Sequence, residues 1–96
     1  MKYQVKSYKR TDTDRLKGHY VIMYYRNGMP RYMADPNKED RIWTNRLENA
    51  KCYIDLSAAE IKAGNLKYGM HPINAMIKYI TYDGKLVNAR RNRYAR

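Results

Sequence analysis

The chain has 96 residues and carries 20 Lys and Arg against nine Asp and Glu, a formal charge of +11 at pH 7. A chain of this length that is 44% hydrophobic builds one domain around a single modest core, which argues against a second domain. So large a charge predicts a polyanionic partner, and nucleic acid, an anionic membrane surface and an acidic protein patch all satisfy it.

Cysteine content and hydropathy narrow the partner classes. Cys52 is the single cysteine, so an intramolecular disulfide framework is excluded and a cytoplasmic protein is expected. The sequence has no apolar run near the roughly 20 residues that span a bilayer, and its first residues lack the apolar segment of a signal peptide. Because a long basic amphipathic helix is also missing, we expect no membrane partner.

The N-terminal part of the chain predicts three strands. Residues 2–9 alternate in polarity like a half-buried strand, and residues 20–25 form an unbroken apolar run that is typical of a central strand. Asn27-Gly28 then predicts a two-residue type I′ turn, because both of its central positions need a positive φ. Pro30 cannot donate to a ladder, so the third strand is expected at an edge of the sheet.

The turn fixes the expected register of this hairpin. The predicted pairs are Arg26 with Met29, Tyr25 with Pro30, Tyr24 with Arg31, Met23 with Tyr32, and Ile22 with Met33. One face then carries Val21, Met23, Tyr25, Tyr32 and Ala34. The other face carries Ile22, Tyr24, Arg26, Met29, Arg31 and Met33, two arginines among them. We assign the first face to the core.

Helices are predicted in the middle of the chain, after a polar loop over residues 35–40. Asn45 and Glu48 have the spacing of a capping box, which would start a short helix that turns Leu47 and Ala50 inward. The same spacing recurs in Ser57 and Glu60 and predicts a helix that begins near Ala58, with Leu56 and Ile61 as a hydrophobic staple. Gly64 or Gly69 should end it.

The last ordered stretch is compatible with two structures. A helical stripe is formed by Ile73, Met76, Ile77 and Ile80, yet residues 76–82 are also rich in β-branched and aromatic side chains. Asp83-Gly84 is a second hairpin signal and favours strand, with Thr81 opposite Leu86 and Ile80 opposite Val87. The expected fold is therefore α+β, a small antiparallel β-sheet with one or two short helices on one face, formed by residues 1–88 and followed by a basic C-terminal tail, residues 89–96.

Basic side chains cluster in three groups, and each phosphate that they neutralise would release counterions. The groups are Lys2, Lys6, Lys9 and Arg10; Arg26 and Arg31; and Lys85, Arg90, Arg91, Arg93 and Arg96. Tyrosines lie among them: the chain has eleven Tyr and no Phe, and Tyr24 and Tyr94 could stack on unpaired bases beside arginines. A plain solvated surface with ordinary cation–π contacts is the alternative interpretation.

Catalytic and cofactor motifs are weak. His19, His71 and Cys52 are isolated, so we expect no metal site, and no glycine-rich phosphate loop predicts a nucleotide cofactor. Cys52 lies in a segment typical of buried structure rather than beside a general base. We expect a protein that binds, with no enzyme activity and no cofactor.

Two short motifs resemble nucleases. Gly18-His19-Tyr20 followed by Tyr32-Met33-Ala34 is similar to the GIY-YIG endonuclease signature, which implies a hairpin that presents two tyrosines in a metal-dependent nuclease. The second motif lacks the final glycine, and the helical arginine and metal-binding glutamate of that family have no clear counterpart. Glu60-Ile61-Lys62 resembles the E-x-K of restriction-type nucleases, but it lies in a predicted helix where that family has a strand.

A broader resemblance covers residues 18–53. A hairpin, then Trp43-Thr44, then Leu47-Glu48-Asn49-Ala50-Lys51 ahead of a helix is similar to many short accessory proteins of bacteriophages and prophages. That resemblance implies a phage protein in the cytoplasm of a bacterial host, with an inhibitory role of the anti-CRISPR kind. Many proteins of that group are acidic, and the basic charge of this chain argues against simple mimicry of DNA.

Three hypotheses follow from the sequence. The first is a module whose Tyr- and Arg-rich surface binds DNA, RNA or a nucleoprotein complex. The second is a phage-encoded inhibitor that binds an acidic surface of a host defence enzyme. The third is a small metal-dependent nuclease that uses Tyr20.

Overall fold

Five antiparallel strands form one sheet in the computed structural model, which describes residues 13–89. The elements are β1 (Tyr20–Arg26), β2 (Met29–Met33), β3 (Trp43–Thr44), a 3-10 helix (Leu47–Asn49), helix α1 (Leu56–Lys67), β4 (Met76–Ile80) and β5 (Leu86–Asn88). The strand order β3-β2-β1-β4-β5 places β1 at the centre. The predicted α+β class with an antiparallel sheet is confirmed; the predicted strand over residues 2–9 lies outside the described residues.

The hairpin between β1 and β2 forms as its turn predicts. Asn27 and Gly28 have φ values of 53° and 79°, and the four pairs from Arg26–Met29 to Met23–Tyr32 are confirmed. The fifth expected pair, Ile22 with Met33, is not formed. Residues 51–53 lie between the two strands there, since Lys51 N–H donates to the Met33 carbonyl and Tyr53 exchanges backbone hydrogen bonds with Tyr20.

The sheet is buried on both faces, so the assignment of the core to one face is corrected. On the predicted face Val21 packs with Leu16, Ala50 and Ile80. On the opposite face Ile22, which is fully buried, packs with Met33 and with Ala59 of α1. A strand covered on both faces carries apolar side chains at consecutive positions, which explains the unbroken run in β1.

Helix α1 begins two residues earlier than predicted. Asp55, rather than Ser57, is the N-cap, and its side chain accepts a hydrogen bond from the Ser57 N–H at 3.3 Å. Ile61 is 66% exposed, so the expected staple with Leu56 is wrong. Gly64 lies inside the helix, which ends at Lys67.

The strands and turns at the edges of the sheet also differ from expectation. β2 is not an edge strand, because β3 pairs with Tyr32 and Met33, but the pairing stops short of Pro30. The predicted short helix is the 3-10 helix Leu47–Asn49, which has no side-chain cap. Leu47 and Ala50 do contact the core as predicted.

Residues 76–80 are a strand, and the hairpin that follows is longer than a two-residue turn. Ile80 pairs with Leu86 and Tyr79 with Val87, one position away from the predicted register. The Thr81 N–H donates to the Lys85 carbonyl at 2.9 Å, and the Thr81 hydroxyl donates to Asp83. These bonds close a five-residue connection over residues 81–85.

Two glycine substitutions test this backbone. Gly64→Ala should raise the free energy of unfolding by about 0.5–1 kcal/mol, because Gly64 is in a helix and a Cβ there meets nothing within 4 Å. Gly28→Ala should lower it by about 1 kcal/mol or more, because an L-residue is strained at φ 79° although the space is open. Urea unfolding measures both, and equal effects of the two substitutions would contradict the assigned turn.

Candidate functional site

The hairpin extends beyond the elements that cover the rest of the sheet. β4 pairs with β1 only from Tyr20 to Met23, and α1 packs over Ile22 and Met33. Residues 24–31, the tip of the β1–β2 hairpin, therefore extend beyond β4 and α1. This end of the sheet presents side chains that the core does not use.

One face of the projecting hairpin combines aromatic and cationic groups, and we call it the hairpin face. Its members, which share a side of the sheet by register, are Tyr24, Arg26, Met29, Arg31 and Trp43. The rings of Tyr24 and Trp43 meet edge to face with centroids 4.7 Å apart, and Tyr24 lies directly across from Arg31. Arg26 and Met29 are exposed at the tip.

The two arginines of the hairpin face are electrostatically unpaired within residues 13–89. The ion pairs there join Lys17 to Asp14, Arg46 to Glu48 and Lys85 to Asp83. Arg31 is partly buried, and its Nε has no hydrogen-bond partner in this part of the protein. A guanidinium N–H that is buried without an acceptor is costly, so turning the Arg31 side chain towards an acceptor at the surface would lower this cost.

A groove runs along the edge of β1 that β4 leaves uncovered, and we call it the edge groove. It encloses about 410 Å³ and is lined by Tyr24, Tyr25, Pro72, Ile73, Asn74 and Met76. Tyr20 exchanges its backbone hydrogen bonds with Tyr53 on the β2 side of β1. The backbone N–H and C=O groups of successive residues point to alternate edges of an antiparallel strand. Those of Tyr25, an odd number of residues after Tyr20, therefore point away from β2 and into the groove.

The structure brings together three of the predicted site residues. Tyr24, Arg26 and Arg31 share the hairpin face. Lys85 is at the opposite end of the sheet, in the turn between β4 and β5, where its Nζ lies 3.9 Å from Asp83. The other predicted residues lie outside the described part of the chain: Lys2, Lys6, Lys9, Arg10, Arg90, Arg91, Arg93, Tyr94 and Arg96.

Most of the surplus charge belongs to the two ends of the sequence. Residues 13–89 contain twelve Lys and Arg and eight Asp and Glu, a net charge of +4, so residues 1–12 and 90–96 carry the remaining +7. β5 runs in the same direction as β1, and the described chain ends one residue beyond it at Ala89. β5 therefore points towards the hairpin end of the sheet.

Sequence reasoning did not foresee a second groove, between α1 and residues 34–42, which we call the helix groove. It encloses about 500 Å³; Met33, Tyr53 and Leu66 contribute apolar lining, Arg41, Lys51 and Lys62 contribute cations, and Glu39 and Asp40 contribute carboxylates. Burial raises the pKa of the Tyr53 hydroxyl, which donates to Met33 Sδ at 3.4 Å. The groove combines apolar contact area with positive charge.

Glu39 lies where the loop before β3 meets the 3-10 helix. One carboxylate oxygen, Oε2, accepts hydrogen bonds from the Thr44 hydroxyl at 2.5 Å and from the Asn49 amide at 2.7 Å. These bonds, with smaller contributions from Arg41 and Arg46, lower the pKa of Glu39. The carboxylate thus fastens the loop that forms one wall of the helix groove.

The nuclease-like motifs are not assembled in the way that their resemblance implies. Tyr20 packs with the α1 cluster and Tyr32 with the Leu16 cluster, on opposite faces of the sheet. Burial and the neighbouring Tyr25 raise the pKa of the Tyr32 hydroxyl. Within residues 13–89 no three His, Cys, Asp or Glu side chains lie together as a metal site, and Glu60 and Lys62 are in α1.

Replacing Glu39 with Gln tests its role in acid stability. Because the pKa of Glu39 is lower in the folded protein than in the unfolded chain, its ionised carboxylate stabilises the fold at pH values above about 4.3, the ordinary pKa of Glu. This stabilisation is lost as the pH falls through the lowered pKa of the folded state. Wild-type protein should therefore lose more stability between pH 7 and pH 3 than Glu39→Gln does, as measured by urea midpoints. Asp40→Asn, an exposed neighbour, is the control and should retain the wild-type slope; identical slopes for wild type and Glu39→Gln would contradict the assignment.

No helix within the described residues has the length and apolar character needed to cross a membrane. Comparison of the chain with protein-family models, with curated proteins and with solved structures finds no match. The features of the described residues that bear on function are the hairpin face and the two grooves.

Proposed function

We propose that the protein binds nucleic acid without catalysing a reaction, and that the hairpin face makes the oriented contact. The observation that carries this proposal is that Arg26 and Arg31, both without an ion pair in residues 13–89, lie on the same face at the projecting end of the sheet, where Tyr24 is directly across from Arg31 and two residues from Arg26. Arginine guanidinium groups bind phosphate as planar forks, and tyrosine offers a ring for base stacking.

Arg31 is the residue from which we expect the largest single effect. Its Nε is buried without a partner among the described residues, so a rotation of the guanidinium onto a phosphate oxygen would relieve a desolvation cost that the free protein already carries. Arg26 is exposed at the tip, where its contact would stay in water and be weaker than that of Arg31. The two arginines would thus act in different ways on the same strand of nucleic acid.

The terminal basic residues supply the second part of the proposal. Residues 1–12 and 90–96 hold eight Lys and Arg and one acid, a density suited to phosphate neutralisation without base contacts. Such charges raise affinity through counterion release and speed association. Tyr94, among the C-terminal arginines, would add a stacking contact.

Substituting the hairpin arginines tests the proposal. Arg26→Gln and Arg31→Gln should each weaken binding to a 12-nucleotide oligomer, and each should reduce the slope of log K against log salt by about 0.7–0.9 if one phosphate contact is lost. Fluorescence anisotropy across a salt series measures both quantities.

Lys85→Gln is the matched control, because it removes one positive charge at the far end of the sheet. It should change affinity less than either arginine substitution. If all three substitutions have equal effects, the hairpin face makes no oriented contact. If the wild-type protein binds no tighter than a polylysine of equal charge, direct nucleic-acid recognition is excluded.

A second candidate function is inhibition of a host defence enzyme through an acidic protein surface, which the phage resemblance implied. The helix groove favours it, because Arg41, Lys51 and Lys62 outnumber the two carboxylates of its lining and none of the three cations has an ion pair within residues 13–89. Acidic segments with apolar side chains complement such a surface.

Capture of partners from bacterial lysate distinguishes the two functions. A protein partner held by the helix groove should remain bound after nuclease treatment and should be released by Lys62→Glu, whereas Arg31→Gln should leave it bound. A partner that disappears after nuclease treatment, and whose capture is insensitive to Lys62→Glu, would exclude this second function.

A further inference from the structure

We infer that the nucleic-acid ligand is single-stranded, and that the edge groove holds one of its unpaired bases. The inference deepens the proposed function and rests on it. A base is the expected occupant because Tyr25, which lines the groove, is followed in the chain by Arg26, a cation without an ion pair in residues 13–89, and a single strand brings a phosphate together with each base.

The size and lining of the edge groove suit a flat ring. The groove of about 410 Å³ has mainly apolar walls, to which Tyr24, Ile73 and Met76 contribute. A nucleobase offers two π-faces for such walls, and stacking on an aromatic side chain is tolerant of base identity. Paired bases in a duplex expose only their edges to a protein, so their faces cannot enter.

Polar groups in the groove match the edge of a base. The N–H and C=O of Tyr25 point along the edge that β4 leaves uncovered and have no backbone partner among residues 13–89. One donor and one acceptor on the same residue can meet the acceptor and donor on the Watson–Crick edge of an unpaired base. The Asn74 side chain, also in the lining, offers a further amide.

Trp43 provides an internal reporter for this site. It is the single tryptophan of the chain, and its ring meets Tyr24 at a centroid distance of 4.7 Å. Tyr24 also lines the edge groove. A base that enters the groove and contacts Tyr24 should therefore change the fluorescence of Trp43.

The experiment titrates the full chain with three 12-nucleotide probes at one salt concentration. The probes are a thymidine strand, a strand of equal length in which every position is abasic, and a 12-base-pair duplex. The thymidine strand should bind about tenfold tighter than the abasic strand, which corresponds to about 1.4 kcal/mol and lies within the range for one stacked base. It alone should quench Trp43.

A variant that fills the groove makes the test specific. Asn74→Tyr should abolish the preference for the thymidine strand and leave affinity for the abasic strand unchanged, whereas Asn65→Tyr, on the exposed side of α1, should keep the preference. Circular dichroism verifies that both variants are folded.

Other outcomes overturn the inference and can be told apart. If thymidine and abasic strands bind wild-type protein equally and Arg31→Gln weakens both, the base site is wrong and the hairpin face still binds phosphate. If the duplex binds tightest, the ligand is double-stranded. If no probe binds above the polylysine control, the base site and the proposed function fail together.

Discussion

The burial of β1 on both faces is the constraint on which the rest of this structure depends. Val21, Ile22 and Met23 are almost fully enclosed, and removing such side chains from water is worth about 1.5–3 kcal/mol each before entropic costs. Leu16 packs on one face of β1 and α1 packs on the other, and both contact only the first half of the strand. The second half, residues 24–26, projects with its partner strand, and the candidate site exists because the cover ends there.

The parts of the fold that sequence reasoning predicted well are those governed by local chemistry. Asn27 and Gly28 fixed the turn and, with it, four residue pairs. The fifth pair depended on residues 51–53, which are distant in sequence and insert between β1 and β2. The assumption of one buried face failed for a related reason: alternation describes a half-solvated strand, whereas the unbroken apolar run of β1 indicated cover on both sides.

The candidate site likewise has features that the local sequence predicts and features that depend on contacts distant in the chain. Tyr24, Arg26 and Arg31 could be grouped from the register alone, but the edge groove depends on where β4 stops and the helix groove on how a loop packs against α1. Lys85 was grouped with the C-terminal arginines by its position in the sequence, and the turn after β4 carries it to the far end of the sheet.

Charge and geometry make separate contributions to the proposed activity. A net charge of +4 over residues 13–89 gives this part of the chain little attraction for a polyphosphate at a distance, whereas the basic ends of the sequence can attract one without selecting how it docks. Orientation has to come from groups held at fixed positions. Arg31, with a buried donor beside an aromatic pair, has such a position because β1 holds the hairpin in register. The ends of the sequence would therefore set how fast and how tightly the partner is captured, and the hairpin would determine which part of it contacts the protein.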